Sequence, residues 1–370
     1  MTDHKKVITD GSRLVTEAMA RAGADCFIGY PITPANLLYQ YGSRRFPFML
    51  PAPDEITVLQ WMSGLSAAGH IPVTATSFPG FALMLESVNM AFMMELPMVI
   101  VLVQRLGPAT GTATCGAQGD LLLLRGMISG GYQVPVLCPS GFEDCWNLSA
   151  RAVALSVKLR TPVVLLTSKE VMMTRKSFDP DLLENIDPVE RKFAPPDKPY
   201  LPYEQTGSLV PEFLPVTDSR RQVRLNASTH DQRGILQHSN DEALANTLRL
   251  EEKPLRYLPE YTYYEIDEQK EAETLVVSYG ITAAAARDAV RCIRESGKKV
   301  SLLVAKTLLP VPEIYLDIVN SYKRVVIAEE NMNAQLATVM YGSRLPEKII
   351  TLGTIGRMAG VDEIIKKAGL

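Results

Sequence analysis

Apolar positions along the chain change their period in a regular order. Between residues 8 and 23, Leu14, Val15, Ala18 and Met19 recur at helical spacing behind Asp10 and Ser12, either of which can cap a helix there. Cys26-Phe27-Ile28-Gly29-Tyr30 then forms a short continuous apolar run, halted by Pro31, and a helix is expected from about Ala35. Prolines at 47, 51 and 53 break the pattern before a helix at 55–69 with small residues on one face. Val73–Ser77 reads as a strand, Pro79-Gly80 as the opening of a helix, and Pro97–Gln104 as an unbroken apolar strand. Such a run suits a parallel sheet covered on both faces. Strand, helix and strand follow at Val134–Cys138, Gly141–Lys158 and Pro162–Ser168. This β-then-α order predicts an α/β fold, a doubly wound parallel sheet.

The pattern lapses over 180–265, a stretch rich in proline and charge. Its aromatics, Tyr200, Tyr203, Phe213, Tyr261, Tyr263 and Tyr264, argue for order, with a helix at about 241–252. A second, smaller α/β unit then begins, with strands at Thr274–Ser278, Val300–Val304 and Val325–Ala328 and a helix at 283–296 capped by Gly297. The expected division is 1–190 for the first domain, 191–268 for an ordered connector and 269–370 for the second domain.

Composition narrows the classes. Of the 370 residues, 46% are hydrophobic and 21% charged, enough for a large core. A net charge of -3 offers no basic footprint for nucleic acid. Five dispersed cysteines (26, 115, 138, 145 and 292) and four scattered histidines make no metal or iron–sulfur spacing, so no metal ligands are expected on this chain. The polar start lacks the look of a signal peptide, and Pro97, Gln104 and Arg105 interrupt the apolar stretches. A cytoplasmic protein with no membrane span is expected.

Candidate chemistry gathers after strands of the first domain, where open parallel sheets bind ligands. Tyr30-Pro31-Ile32-Thr33-Pro34 presents a hydroxyl in a proline-stiffened loop, or is simply a strand-ending turn. Glu55, beside Asp54, complements a helix dipole, or becomes a proton-sharing acid if buried against a ligand. Arg105 ends the apolar strand, placed to grip a carboxylate or to make a surface ion pair. Behind it, Gly107, Thr110, Gly111 and Gly116 allow backbone to approach a ligand, and Gln118-Gly119-Asp120 adds a polar turn.

Together these segments resemble the alpha subunits of the 2-oxoacid:ferredoxin oxidoreductases. Tyr30–Pro34, the acidic pair Asp54-Glu55, Thr74–Glu86, Val103–Gly111 and Gln118–Asp120 match family runs in order. In the second domain Val277–Gly280, Lys306–Pro310 and Glu330–Met332 do so too. The resemblance implies a thiamine-diphosphate domain of the pyrimidine-binding type, then a smaller domain like the C-terminal one of transketolase. Glu55 would hydrogen-bond the cofactor's aminopyrimidine, with Tyr30, Pro31, Ile32 and Thr33 beside it. Thr33, Arg105 and Thr110 would hold the substrate. The implied reaction converts a 2-oxoacid and CoA to acyl-CoA, CO₂ and reduced ferredoxin, with the cofactor as electron sink.

Neither a diphosphate–magnesium motif nor cluster cysteines are present, so Mg²⁺ and an iron–sulfur cluster are expected on a beta subunit. Gamma and ferredoxin-like delta subunits are further possible partners. The connector, with Thr229-His230-Asp231 and Gly234, favours 2-oxoglutarate over branched-chain 2-oxoacids or pyruvate, with Arg125 or Lys158 as a candidate for the extra carboxylate. The sequence departs from the family at Phe78, where a glycine is usual, and at Asn333-Ala334. Phe78 keeps open a non-catalytic structural partner; a transketolase-like enzyme fits the second domain less well.

Overall fold

A computed structural model describes residues 6–370. The first half contains β1 (Val7–Thr9), α1 (Gly11–Arg21), β2 (Cys26–Gly29), α2 (Asn36–Arg45), β3 (Phe48–Pro51), α3 (Glu55–Ala67), β4 (Pro72–Thr76) and α4 (Phe78–Met93). It continues with β5 (Met98–Gln104), α5 (Leu121–Arg125), β6 (Val136–Leu137), α6 (Phe142–Leu159), β7 (Pro162–Ser168), α7 (Lys169–Met173) and β8 (Lys176–Phe178). The connector contributes α8 (Asp241–Tyr257) and β9 (Tyr264–Asp267), and beyond it come β10 (Thr274–Tyr279), α9 (Thr282–Glu295), β11 (Ser301–Ala305), β12 (Thr307–Leu309) and α10 (Glu313–Asn320). The chain closes with β13 (Arg324–Glu329), α11 (Gln335–Tyr341), β14 (Ile349–Gly353) and α12 (Val361–Ala368).

The larger sheet runs β12-β6-β7-β5-β4-β2-β3, parallel except for β12. All seven residues of β5 are buried, because α3 and α4 cover one face of the sheet and α1, α2 and α6 the other. The smaller sheet runs β14-β13-β10-β11-β9 with β9 antiparallel. One apolar core passes from α3 and α4 into the face of the smaller sheet formed by Leu275, Val277 and Leu303, and α9 and α12 cover its opposite face.

Several expectations shift. The first helix starts at Gly11, not residue 8, since β1 pairs antiparallel with β8; Asp10 caps it by accepting from Arg13 N. The strand expected at 134–138 is reduced to β6, and the helix expected at 241–252 runs on through Pro254 to Tyr257. Lys306–Pro310, a motif of the second unit, sends β12 across to complete the first unit's sheet beside β6.

The connector is fastened by buried cations. The Arg160 guanidinium donates to the carbonyls of Pro202, Pro211 and Glu212, and Arg191 donates to those of Ser66 and His70 while lying 3.7 Å over the Phe213 ring. Glu95, fully buried in the turn before β5, takes a two-pronged contact from Arg249 and one at 2.6 Å from Lys253, both on α8. Burial pushes the Glu95 carboxyl up, but Lys253, Arg249 and Arg160 outweigh it and hold the group down at about 2. Burial lowers Lys253 to about 8 despite the same contact. The two shifts differ because one carboxylate serves several cations and compensates each only in part.

Candidate active site

Because β5, β4, β2 and β3 are adjacent and parallel, the segments leaving their carboxyl ends emerge at one edge of the sheet. Arg105 follows β5, Ser77 follows β4, Tyr30–Thr33 follow β2, and Glu55 opens the helix after β3. The structure joins two of these directly: Arg105 Nη1 donates to the Thr33 carbonyl over 2.6 Å. Arg105 is only 7% exposed, and no described carboxylate pairs with it, so a surface ion pair is not its role. Its Nε has no protein partner. Burial lowers its pKa, opposed by the charge of Asp120. The loop before Thr33 is open, with Tyr30 and Pro31 exposed and Ile32 and Thr33 half-buried.

The acidic pair divides its labour. Asp54 caps α3 by accepting from Thr57 N at 2.8 Å, leaving Glu55 free to turn inward, 8% exposed. Among the described residues no protein donor bonds the Glu55 carboxylate. It lies against the first turn of α4: a Cβ on Gly80 would stand 2.6 Å from Glu55 Cγ, 2.7 Å from its Oε1 and 2.4 Å from Thr76 Oγ1. Nearby on the same strand end, the buried hydroxyls of Thr74 and Ser77 lack protein partners. Phe78 is the first residue of α4 and half-buried.

Thr110 is exposed in the loop after Arg105, which closes on itself through Leu106 N to Cys115 O at 2.8 Å and Thr112 N to Leu106 O at 2.9 Å. Gly111 there has φ +47, and a Cβ would lie 1.6 Å from the Leu106 carbonyl oxygen. No hydrogen bond ties Thr110 to Arg105 or Thr33. Lys158 lies far along α6, just before β7 begins and so toward the opposite edge of the sheet, where it pairs with Glu260. Arg125, on α5, donates to the Gly131 carbonyl at 3.3 Å.

Two acids were not singled out from sequence. Asp120 is 7% exposed, its Oδ2 lacks a protein partner, and burial raises its carboxyl to about 7 against the pull of Arg105. Glu330 is likewise pushed to about 7 by burial and the Glu170 carboxylate. The only available signal for Asp120 was its place in the Gln-Gly-Asp turn; burial depends on the second domain covering it. Among the described residues, Asp25, Cys26 and His70 could offer ligand atoms to a metal. Asp25 is already engaged, by His70 at 2.8 Å and by Ile71 N, and burial with the neighbouring Asp25 charge pushes the Cys26 thiol up, away from the thiolate a metal needs. All five cysteines are free thiols, and no described helix is long and apolar enough to cross a membrane.

Comparison with known proteins fits this arrangement. Residues 17–249 match the family described as "Pyruvate flavodoxin/ferredoxin oxidoreductase, thiamine diP-bdg", and residues 272–367 match "Pyruvate:ferredoxin oxidoreductase core domain II". The chain is 31% identical to the 2-oxoglutarate synthase subunit KorA of Methanocaldococcus jannaschii, over 97% of this chain and 98% of that one. It is 32% identical to the ketoisovalerate oxidoreductase subunit VorB of Methanothermobacter thermautotrophicus, over 82% and 79%. A solved structure of 2-oxoglutarate:ferredoxin oxidoreductase from Magnetococcus marinus, with 2-oxoglutarate, coenzyme A and succinyl-CoA bound, superposes on all of this chain and 66% of its own with a TM-score of 0.92 and 25% identity. A split-gene transketolase, at 13% identity and a TM-score of 0.53, shares the fold alone. The chain belongs to the 2-oxoacid:ferredoxin oxidoreductases, as an alpha subunit of such an enzyme.

Proposed function

We propose that Glu55, Thr33 and Arg105 are this chain's share of a thiamine-diphosphate site for oxidative decarboxylation, with 2-oxoglutarate as the favoured 2-oxoacid. The observation that carries the reading is Arg105, a buried guanidinium without a carboxylate partner, joined to the Thr33 loop at the edge where Glu55 turns inward. The residues fit the pyrimidine half of the cofactor. Glu55 is a buried carboxylate with no protein donor, and Gly80 keeps the space beside it free of a Cβ. When bound, the cofactor supplies the electron sink for loss of CO₂. Glu55 would hold a proton at a ring nitrogen of the bound aminopyrimidine, and the buried Phe81 and Met84 of α4 would keep water from that side. Arg105 supplies positive charge for the substrate's carboxylate, strengthened by the low polarity around it. Thr33, with Tyr30, Pro31 and Ile32, lines the open side, and Thr110 would contact the substrate from the exposed loop after Arg105.

We assign to a beta subunit both an iron–sulfur cluster, which would carry the released electrons, and the Mg²⁺ that would hold the diphosphate. CoA accepts the acyl group and ferredoxin the electrons; gamma and delta subunits complete such an assembly in the cytoplasm. Residues 1–190 act as the pyrimidine-binding domain, 191–268 as the connector and 269–370 as the second domain. Relatives named for 2-oxoglutarate favour that substrate, while the VorB relatives keep 2-oxoisovalerate as the second reading. The test is ferredoxin reduction by the assembled complex with 2-oxoglutarate, 2-oxoisovalerate and pyruvate, each with CoA. The highest kcat/KM is expected for 2-oxoglutarate; a clear preference for either other acid overturns the substrate assignment.

A further inference from the structure

The loop that carries Arg105 and Thr110 is anchored at its far end by the second domain, through the backbone and side chain of Gln118 with support from Gln335. Gln118 is 1% exposed and makes six hydrogen bonds across the domain boundary. Its backbone N–H donates to Glu330 O at 2.9 Å, and Nε2 donates to Tyr279 O at 2.9 Å. Oε1 accepts from Thr282 Oγ1 and from Glu330 N, each at 2.8 Å. Its carbonyl accepts from Asn331 Nδ2 at 3.0 Å and the Tyr279 hydroxyl at 3.3 Å. The fit is close: Gly280 adopts φ +55, and a Cβ there would stand 2.8 Å from Gln118 Nε2. Gln335 extends the clamp, donating to Gly119 O at 2.8 Å and accepting from Leu122 N at 3.0 Å.

Two residues on, the clamp reaches the strand that precedes Arg105. Asp120 N donates at 3.2 Å to Oε1 of Gln104, the last residue of β5, itself 1% exposed and registered against Ser168 of β7. The chain from Gln104 to Asp120 is thus a closed loop, pinned at its root by the sheet and at its return by the second domain. Arg105 is the first residue of that loop.

We infer that Gln118 is a positioning residue for the site, through which the second domain sets the Gln104–Asp120 loop and with it the reach of Arg105 toward Thr33 and the substrate carboxylate. The inference rests on the proposed role of Arg105 for its kinetic consequence, but not for its structural one. Buried amide networks of this kind hold a geometry through their shared partners, and removal of one side chain leaves several of those partners orphaned.

The test uses the assembled complex with Gln118→Ala, and with Gln335→Ala as a milder variant that leaves the Gln118 network intact. Hydrogen exchange is read at residues 104–120, and KM for the 2-oxoacid and for CoA are measured beside kcat. Expected are faster amide exchange across 104–120 and a rise of about tenfold in KM for the 2-oxoacid in Gln118→Ala, the scale of one weakened charge-assisted hydrogen bond. Gln335→Ala should move both in the same direction by a smaller factor, with KM for CoA unchanged in each. Unaltered exchange at 104–120, or a loss confined to melting temperature and active fraction with KM unmoved, overturns the inference and leaves Gln118 as interdomain glue. Arg105→Lys separates the two ideas: if its KM for the 2-oxoacid matches wild type, the proposed grip by Arg105 fails, while faster exchange in Gln118→Ala still upholds the clamp.

Discussion

Gly80→Ala adds one methyl group where the structure has no room for it. Its Cβ would fall 2.4 Å from Thr76 Oγ1 and 2.6 Å from Glu55 Cγ. Carbon atoms settle at about 3.5–4.0 Å, so something must yield by roughly 1 Å. Thr76 ends a strand whose five residues are all buried, whereas Glu55 is a side chain with rotatable bonds; the displacement falls on Glu55. Overpacking costs about 1–3 kcal/mol. Replacing glycine by alanine within a helix returns about 0.5–1 kcal/mol, which leaves a net loss of stability of about 0–2.5 kcal/mol. A misplacement of ~1 Å at a reacting centre lowers rate on the order of 100-fold, about 2.7 kcal/mol of barrier. Function should therefore suffer more than folding. The assay is kcat for ferredoxin reduction by the assembled complex, beside its melting temperature. A kcat within about twofold of wild type in a normally folded variant would refute the placement of Glu55 against α4.

Two other groups give further tests. Asp120 is raised to about 7, so its charge appears as pH rises through that value, opposing an anion at Arg105. KM for the 2-oxoacid should climb above pH 7 in wild type and lose that rise in Asp120→Asn; equal pH profiles would remove Asp120 from the site. A raised carboxyl also means that its contribution to stability falls as pH rises from the ordinary 3.8 toward 7. Glu95 is held at about 2, so its contribution is complete above 4.5 and lost as pH falls through about 2. Glu95→Gln should cost about 3–5 kcal/mol in urea denaturation at pH 7, because Arg249 and Lys253 are left buried and unpaired. It should also lack the acid-dependent component, and a cost below about 1 kcal/mol would mean the α8 anchor is not electrostatic.

Local pattern made much of this molecule readable. The run 97–104 read as a doubly covered strand, and β5 is one, buried throughout. The proline-bounded Thr33 loop, the acidic pair and the strand-end arginine were each visible with their position relative to a strand. What pattern could not supply was partnership. Glu95 stands in Met-Met-Glu-Leu-Pro as an ordinary turn acid; its cations lie about 150 residues downstream on α8. Lys306–Pro310 carries nothing in its own residues to say that β12 leaves its domain to pair with β6. Gln118 looked like part of a polar turn, because its six hydrogen bonds are made to residues that fold brings together from 279 to 331. The roles of Asp54 and Glu55 were separable only once the cap on Thr57 was seen.

Glu55 is proposed to govern the proton at the reactive carbon of thiamine diphosphate. The most direct measurement of that control is hydrogen–deuterium exchange at cofactor C2 in the assembled complex, wild type against Glu55→Gln, followed by quenched-flow NMR. The account predicts that the substitution slows exchange on the order of 100-fold or more while the cofactor remains bound. Exchange at the wild-type rate in Glu55→Gln would contradict it.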